Sequence, residues 1–442
     1  MPGDEPLSIS GSPYSRNNRL LDSNSPSGLG PIQVAAVDIG SNSIHLLVAS
    51  IEPSLHSFNI EIAEKATTRL GERDPDSGDL THLAIEKSLD ALKRFKAIIE
   101  SNNVEHLVVI ATSAVREALN GREFLKTIKE RLGFDVDLIS GQEEARLIYL
   151  GVLSAMSFVD RPHLLLDIGG GSTELILADA HDARALTSTR VGAVRLNRDF
   201  LTEDIIPLKR RKFLKTFIKG SLEPAIYKVL TRISPGEKPV MVATSGTALA
   251  LGSLLASEEE RRPLKLHGYC ITRRKLEALV ERLSSMSAIQ RSLLPPINAR
   301  RSEIIVPGAL ILETAMQMLN VDELVLSERA LREGLIFDWM LRNGFLEDRF
   351  SYQSSIRQRT VMHQAKRFAG DIPRAEWVAK NALILYDKTV DFVHSDTGEG
   401  RDLLWAASML HACGQHINNT AYHKHSWYLI RHGELLGYSE SE

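Results

Sequence analysis

A chain of 442 residues, 43% hydrophobic and 25% charged, is long enough for two or three domains with their own cores and has the balance of a globular enzyme. Its formal charge of -3 excludes a global attraction for nucleic acid or acidic lipid, so any polyanion would have to be held by local positive groups. Cys270 and Cys413 are the only cysteines; they read as small buried apolar side chains rather than a disulfide, and cannot form a zinc site alone. No secretory or bilayer-spanning run is evident, which makes the cytoplasm the expected location, with no membrane partner.

Residues 1–30, rich in Ser, Pro, Gly and Asn, are predicted to be a disordered tail. In VAAVDIGSNSIHLLVAS an apolar run ends at Asp38, turns through Gly40, Ser41, Asn42 and Ser43, and resumes, which is the pattern of a hairpin. A strand near Phe58–Ala63, a polar loop over 71–79 and a helix through Leu83, Leu89, Leu92, Phe95 and Ile99 follow. HLVVIATSA (106–114) reads as a buried strand entering a turn. VREALN opens the next helix, for which Gly133 is the expected stop. FDVDLI is a further strand. SGQEEARLIYLGVLSA (140–155) is an amphipathic helix whose Ser140 and Glu143 have capping-box spacing, leaving Glu144 without such a task.

The hairpin then returns as LLLDIGGGSTELILAD, with Asp167 in the place of Asp38. Residues 195–235 read as helical with basic runs such as 209–212, and PVMVATSGTALAL (239–251) as a strand and turn. Helices around 272–290 and 302–319 lead into VDELVLSERALREGL, a strand feeding a helix. From about Phe345 the pattern is wholly helical.

Strands and helices thus alternate twice, over 31–155 and again over 156–344, which predicts two α/β subdomains with a cleft between them. Small residues at a hairpin tip let backbone N–H groups approach an anion, and Ser or Thr hydroxyls add donors. Two such hairpins face to face would clamp a phosphate beside carboxylates able to hold a metal. No GxxxxGK is present and no GxGxxG follows a strand, so the site is neither a P-loop nor a dinucleotide fold.

These segments resemble the exopolyphosphatase / guanosine pentaphosphate phosphohydrolase (Ppx/GppA) family, within the wider actin, hexokinase and heat-shock ATPase superfamily. AAVDIGSNSIHLLV, ATSAVREALN, SGQEEARLIYLGV, LLLDIGGGSTELIL and ATSGT carry the resemblance, which runs from about residue 31 to the end of the chain. It implies duplicated actin/hexokinase-like (ribonuclease H-like) subdomains and release of a terminal phosphate from inorganic polyphosphate or guanosine pentaphosphate, with water as acceptor. Glu144 would be the general base and Arg116 would neutralise the transferred group. Asp167 and Glu174 would hold Mg2+, with Asp38 facing it, while Gly40, Ser41, Asn42 and Ser43 and Gly169, Gly170, Gly171, Ser172 and Thr173 would cradle phosphoryl oxygens. A homodimer is also expected, and nucleic acid is not an expected partner.

Plainer readings stand beside these. Glu143 and Glu144 could both be first-turn acids favoured by the helix dipole, and Glu174 a surface acid. Arg116 could pair with Glu117 or Glu123. The first hairpin has His45 at the offset of Glu174, so the two copies differ there. Thr244–Thr247 could line a nucleotide pocket or only the cleft floor, and Arg301 reads as a surface arginine. A small-molecule kinase and a non-catalytic guanosine penta- or tetraphosphate sensor are the rival functions. Release of free phosphate without an added acceptor would separate the first, and the intact Glu144, Asp167 and Glu174 argue against the second.

The stretch 345–442 resembles the family's helical domain, related to HD-type metal phosphohydrolases, in shortened form. His411–Ala412 stands where a His-Asp pair would be, and Arg374–Ala375 where the family often has His-Ala. Too few ligands remain for a second metal site. His411, His416, His423 and His425 are then core or polyanion-facing groups.

Overall fold

The computed structural model describes residues 30–442 except 75, 159–160, 202–203, 260–264, 296, 298, 347–355, 369, 391, 395–398, 434 and 439–441. The expected disordered tail lies outside the described residues but for Gly30.

The first sheet grows from the first hairpin. β1 (Ile32–Ile39) and β2 (Ser43–Glu52) pair antiparallel with Asp38 opposite His45, and β3 (Ser57–Thr67) extends the meander. The chain crosses through α1 (His82–Ser101) to β4 (His106–Ala111), which lies parallel to β1, and then through a short α2 (Ser113–Arg116) and α3 (Gly121–Leu132) to β5 (Asp137–Leu138). Thr81 caps α1, its hydroxyl accepting the Ala84 N–H at 3.3 Å, and α3 ends at Gly133 with φ 77°, as its position after the last apolar residue predicts. The strand expected over FDVDLI shrinks to the two residues of β5.

α4 (Gly141–Leu153) leads into the second copy. β6 (His163–Ile168), β7 (Thr173–Ala178) and β8 (Ala183–Thr189) repeat the antiparallel meander, with Asp167 opposite Glu174. α5 (Ala193–Phe200) and α6 (Leu208–Leu230) precede β9 (Val240–Ala243), parallel to β6. α7 (Ser245–Ser257), β10 (Cys270–Thr272), α8 (Arg273–Ser284), α9 (Ala288–Ser292), α10 (Ala299–Ser302) and α11 (Ile305–Leu319) follow, then β11 (Glu323–Leu326) and α12 (Leu331–Arg342). The sheet orders are β3-β2-β1-β4-β5 and β8-β7-β6-β9-β11, the second with β10 added at its edge. This is the duplicated α/β architecture expected from the repeated hairpins. β8 and β10 were not legible, because ARALTST and CIT lack the apolar alternation that marks a half-buried strand. Cys270, expected to be buried, is exposed on edge strand β10, whereas Cys413 is buried.

Central strands are apolar on both faces because helices cover both: Val34–Val37 and Leu164–Leu166 are all buried. α4 packs on β7 and β8, and α12 on β1 and β2. Each helix thus leaves its own repeat to cover the other, and the two cross at Gly151 and Gly334. One core cluster accordingly joins Ile148 and Val152 to Phe337 and Met340. The remaining helices, α13 (Ile356–Phe368), α14 (Ile372–Thr389), α15 (Glu399–Leu410) and α16 (Tyr422–His432), surround a separate small core of Val361, Ala375, Met409 and Cys413.

Candidate active site

Both hairpins close in the same way. Gly40 N–H donates to the Ser43 carbonyl at 3.2 Å, and Gly169 N–H to that of Ser172 at 2.9 Å. The carbonyls of Ser41 and Asn42 are taken by N–H groups of Gly71, Thr68 and Arg69, and those of Gly169 and Gly170 by Ala193, Val194 and Arg195. With these acceptors turned away, the tips present N–H groups and hydroxyls, the equipment for an anion. The tips also touch: a Cβ on Gly170 would sit 3.0 Å from Ser41 Cβ, and one on Gly171 would sit 2.6 Å from Ser113 Oγ. Glycine is what allows the two halves to meet this closely.

A cavity of about 390 Å³ opens where they meet, lined by Asp38, Gly40, Ser41, Asn42, Ser43, Glu144, Asp167, Gly169, Gly170 and Ser172. Ten expected residues therefore share one cleft. Four do not line it. Gly171 is packed between the tips, and Thr173 is fully buried with its hydroxyl donating to the Val191 carbonyl at 2.5 Å, so both support the turn instead of facing the cleft. Glu174 is 1% exposed, which excludes the surface reading, and it accepts from Ser188 Oγ at 2.8 Å. Arg116 takes neither Glu117 nor Glu123: it donates to the Ile139 carbonyl at 2.6 Å and lies 3.5 Å from Glu144. Its guanidinium lines a neighbouring cavity.

Four carboxyl groups converge at this end. Burial pushes Asp38 up to about 7, against the Arg332 guanidinium and helped by Asp167. Asp167 rises to about 6, by burial and despite the hydroxyl donated by Thr244. Glu174 rises to about 8, through burial and then Asp167. Glu144 is pushed well above its ordinary range by burial and then Glu174, with Arg116 opposing. Dry carboxyls that repel one another are held at a cost, which a cation or a donating ligand would relieve. Asp38 Oδ1 is buried without a hydrogen-bond partner among the described residues, which points the same way.

Glu144 sits in the first turn of α4. Ser140 Oγ accepts the Glu143 N–H at 3.2 Å, as expected, but the return half of the capping box is missing. Glu143 is bound by Arg146 at 2.7 and 2.8 Å instead. That pairing turns Glu143 outward and leaves Glu144 facing the cleft.

Cations line the same cavity, and Arg332 acts on both Asp38 and Asp167. Lys65, Arg301 and Arg332 line it with His45. Lys65 is accessible at the cleft wall, yet desolvation and then Arg301 and Arg332 push its ammonium down to about 8. Burial, Arg332 and Lys65 hold His45 down to about 3, so its ring is neutral. Arg301, expected on the surface, is partly buried and belongs to the cleft; a Cβ on Gly246 would lie 2.8 Å from its Nη2. Lys65 and Arg332 escaped sequence reasoning. Their only signal is the pairing of Lys65 with His45 across β3 and β2 and the start of α12 at Leu331. Ser245, Gly246 and Thr247 line the same cavity, while Thr244 is spent on Asp167.

Among the described residues the C-terminal helices, expected to be HD-like, show no such convergence. Arg374 N–H is accepted by Asp371 at an ordinary helix start, and His411 Nδ1 lies 2.7 Å from the Ser408 carbonyl.

Matched anion-accepting tips, with a carboxylate cluster and cations in the same cleft, define a phosphoryl-group enzyme of the duplicated α/β class. Residues 47–343 match the Ppx/GppA phosphatase family, and residues 356–442 match Ppx/GppA phosphatase, domain III. The chain belongs to that family and is a phosphohydrolase. It is 29% identical to the guanosine-5'-triphosphate,3'-diphosphate pyrophosphatase of Vibrio vulnificus over 95% of this chain and 80% of that protein. The protein of the same name from Photobacterium profundum is 27% identical over 92% and 78%. Among solved structures, an exopolyphosphatase of Cytophaga hutchinsonii aligns with a TM-score of 0.64 and 26% identity, over 71% of this chain and 98% of that one. The Aquifex aeolicus member of the Ppx/GppA family aligns at 0.59 and 26% over 71% and 99%. No described helix is long and apolar enough to cross a membrane.

Proposed function

We propose that the protein hydrolyses the terminal phosphoanhydride of inorganic polyphosphate or guanosine pentaphosphate and releases orthophosphate. The observation that carries this reading is the make-up of one cleft, in which the carboxyls at the hairpin tips share a wall with Lys65, Arg301 and Arg332. A chain of phosphates laid along the cations would bring its terminal group to the tips, where N–H groups and the hydroxyls of Ser41, Ser43 and Ser172 receive its oxygens.

Glu144 then acts as general base. Its carboxylate orients a water, accepts the proton as the water oxygen bonds to the terminal phosphorus, and the bridging P–O bond breaks with its electrons going to the shortened chain. Burial makes this carboxylate a stronger base than an exposed one. Arg116, held by Ile139 and Glu144, orients the base more directly than it meets the substrate.

The donor set fits a hard divalent ion. Buried carboxyls and Asp38 Oδ1, unpartnered among the described residues, support this, and Mg2+ is commonly held by one or two carboxylates with water and phosphate completing its shell. Asp167 and Glu174 would hold it, with Asp38 facing. When bound, it would neutralise phosphate oxygens.

The test is 31P NMR of both substrates with and without Mg2+. One orthophosphate per shortened chain or per guanosine tetraphosphate, without any added acceptor, supports the reading. Transfer only to an added hydroxyl compound would favour a kinase, and binding without turnover a sensor.

A further inference from the structure

A second cavity of about 450 Å³ lies on the far side of the carboxyl cluster, and Ser172 lines both spaces. Its wall is cationic and hydroxylic. Arg116 stands at the inner end, Ser188 and Thr189 come from the end of β8, Lys228 from α6, and Arg190 from the loop after β8. Exposure grades along it: the Arg116 side chain is 24% exposed and that of Arg190 79%. The one acid in the wall, Glu117, is already engaged by Arg195 at 2.5 Å and by Arg190 at 3.6 Å. Two polar contacts run from the wall of this cavity to the carboxyls of the reacting end: Arg116 with Glu144 at 3.5 Å, and Ser188 with Glu174 at 2.8 Å. Gly141, at the start of α4, lets the helix lie close against this polar wall, since a Cβ there would overlap Ser188 Oγ and lie 3.7 Å from Arg116 Nη2.

We infer that this second cavity binds orthophosphate and is the route by which it leaves. The inference rests on the hydrolase reading and extends it. Cleavage at the hairpin tips produces a small anion at the inner end of the first cavity, with the shortened polyanion still lying across Lys65, Arg301 and Arg332 between it and the entrance. A shared opening would force the chain off before each phosphate departs. A separate cation-lined opening next to Glu144 lets the small product go while the chain stays and advances. Arg116 hands the anion outward to Lys228 and then to the exposed Arg190, where the hold is weaker.

The experiment compares chemistry with release in the full-length protein, using a medium-length polyphosphate. Quenched samples read cleavage, and a fluorescent phosphate-binding reporter reads free orthophosphate. Thr189→Trp narrows the cavity and Lys228→Glu reverses its charge; neither residue belongs to the catalytic cleft. In both variants cleavage in the first turnover should keep its wild-type rate, while free phosphate lags by about fivefold or more, the behaviour of a release-limited enzyme. Lys228→Glu should also weaken inhibition by added orthophosphate. Release that keeps pace with cleavage in both variants would overturn the exit route and leave the hydrolase reading standing. Absence of cleavage by the wild-type protein would overturn both. Circular dichroism and thermal melting of each variant identify one that fails to fold, and Arg190→Glu at the exposed mouth then takes its place.

Discussion

Gly151 of α4 and Gly334 of α12 face each other where the two repeats exchange helices. A Cβ on Gly151 would lie 3.0 Å from the Gly334 nitrogen, and one on Gly334 would lie 3.0 Å from the Gly151 nitrogen. The same atoms would overlap the carbonyls of Ala330 and Leu147. Backbones in such contact fix the crossing of α4, which carries Glu144, against α12, which carries Arg332. Gly151→Ala or Gly334→Ala should therefore destabilise the fold by about 1–3 kcal/mol or more, the usual cost of overpacking. Urea unfolding of each variant measures it, and an unchanged midpoint would show that the helices can part without loss.

Two adjacent acids should behave oppositely. Glu144→Gln is expected to leave binding nearly intact and to lower turnover roughly a hundredfold or more, the loss typical of a general base. Glu143→Gln should cost at most a few-fold, because Glu143 is tied to Arg146 outside the cleft. Steady-state kinetics on both variants reverse the assignment if the second is the crippled one.

Lys65 supplies a pH dependence. Its ammonium is pushed down to about 8, and only the charged form attracts the substrate. Affinity should be full below that value and should fall as pH rises through it, with bound polyanion shifting the midpoint upward. In Lys65→Met the KM should be raised at neutral pH and its rise above about pH 8 should flatten. A wild-type KM that is constant from pH 7 to 9.5 would remove Lys65 from the binding wall.

Removing the expected metal ligands should differ from removing the base. Asp167→Ala and Glu174→Ala are expected to abolish activity together with any response to Mg2+, because the ion would neutralise the phosphate oxygens. Retention of wild-type rates at saturating Mg2+ would refute that assignment.

What the sequence revealed follows from the range of the interactions involved. The hairpins were legible because apolar runs, a terminal Asp and a Gly/Ser tip are local, and their repetition implied the two sheets. The place of Glu144 in the cleft was legible because Ser140 caps the helix through the neighbouring Glu143. Lys65 and Arg332 were not, because each reaches the cleft only through a distant arrangement: the β2–β3 register for one and the α4–α12 crossing for the other. The same limit explains the errors. Thr173 was assigned to the phosphate because nothing near it in the chain signals that the carbonyl of Val191, beyond β8, takes its hydroxyl. Arg116 was placed against the phosphate because the chain does not show that the Ile139 carbonyl would take its guanidinium on the far side of Glu144.

The most direct test of the central claim is hydrolysis in oxygen-18 water. With polyphosphate or guanosine pentaphosphate and Mg2+, the wild-type protein should release orthophosphate carrying one solvent oxygen, with no other acceptor present. Glu144→Gln should release almost none over the same time. Orthophosphate without solvent oxygen, phosphate transfer only to an added acceptor, or an undiminished rate in Glu144→Gln would contradict the account.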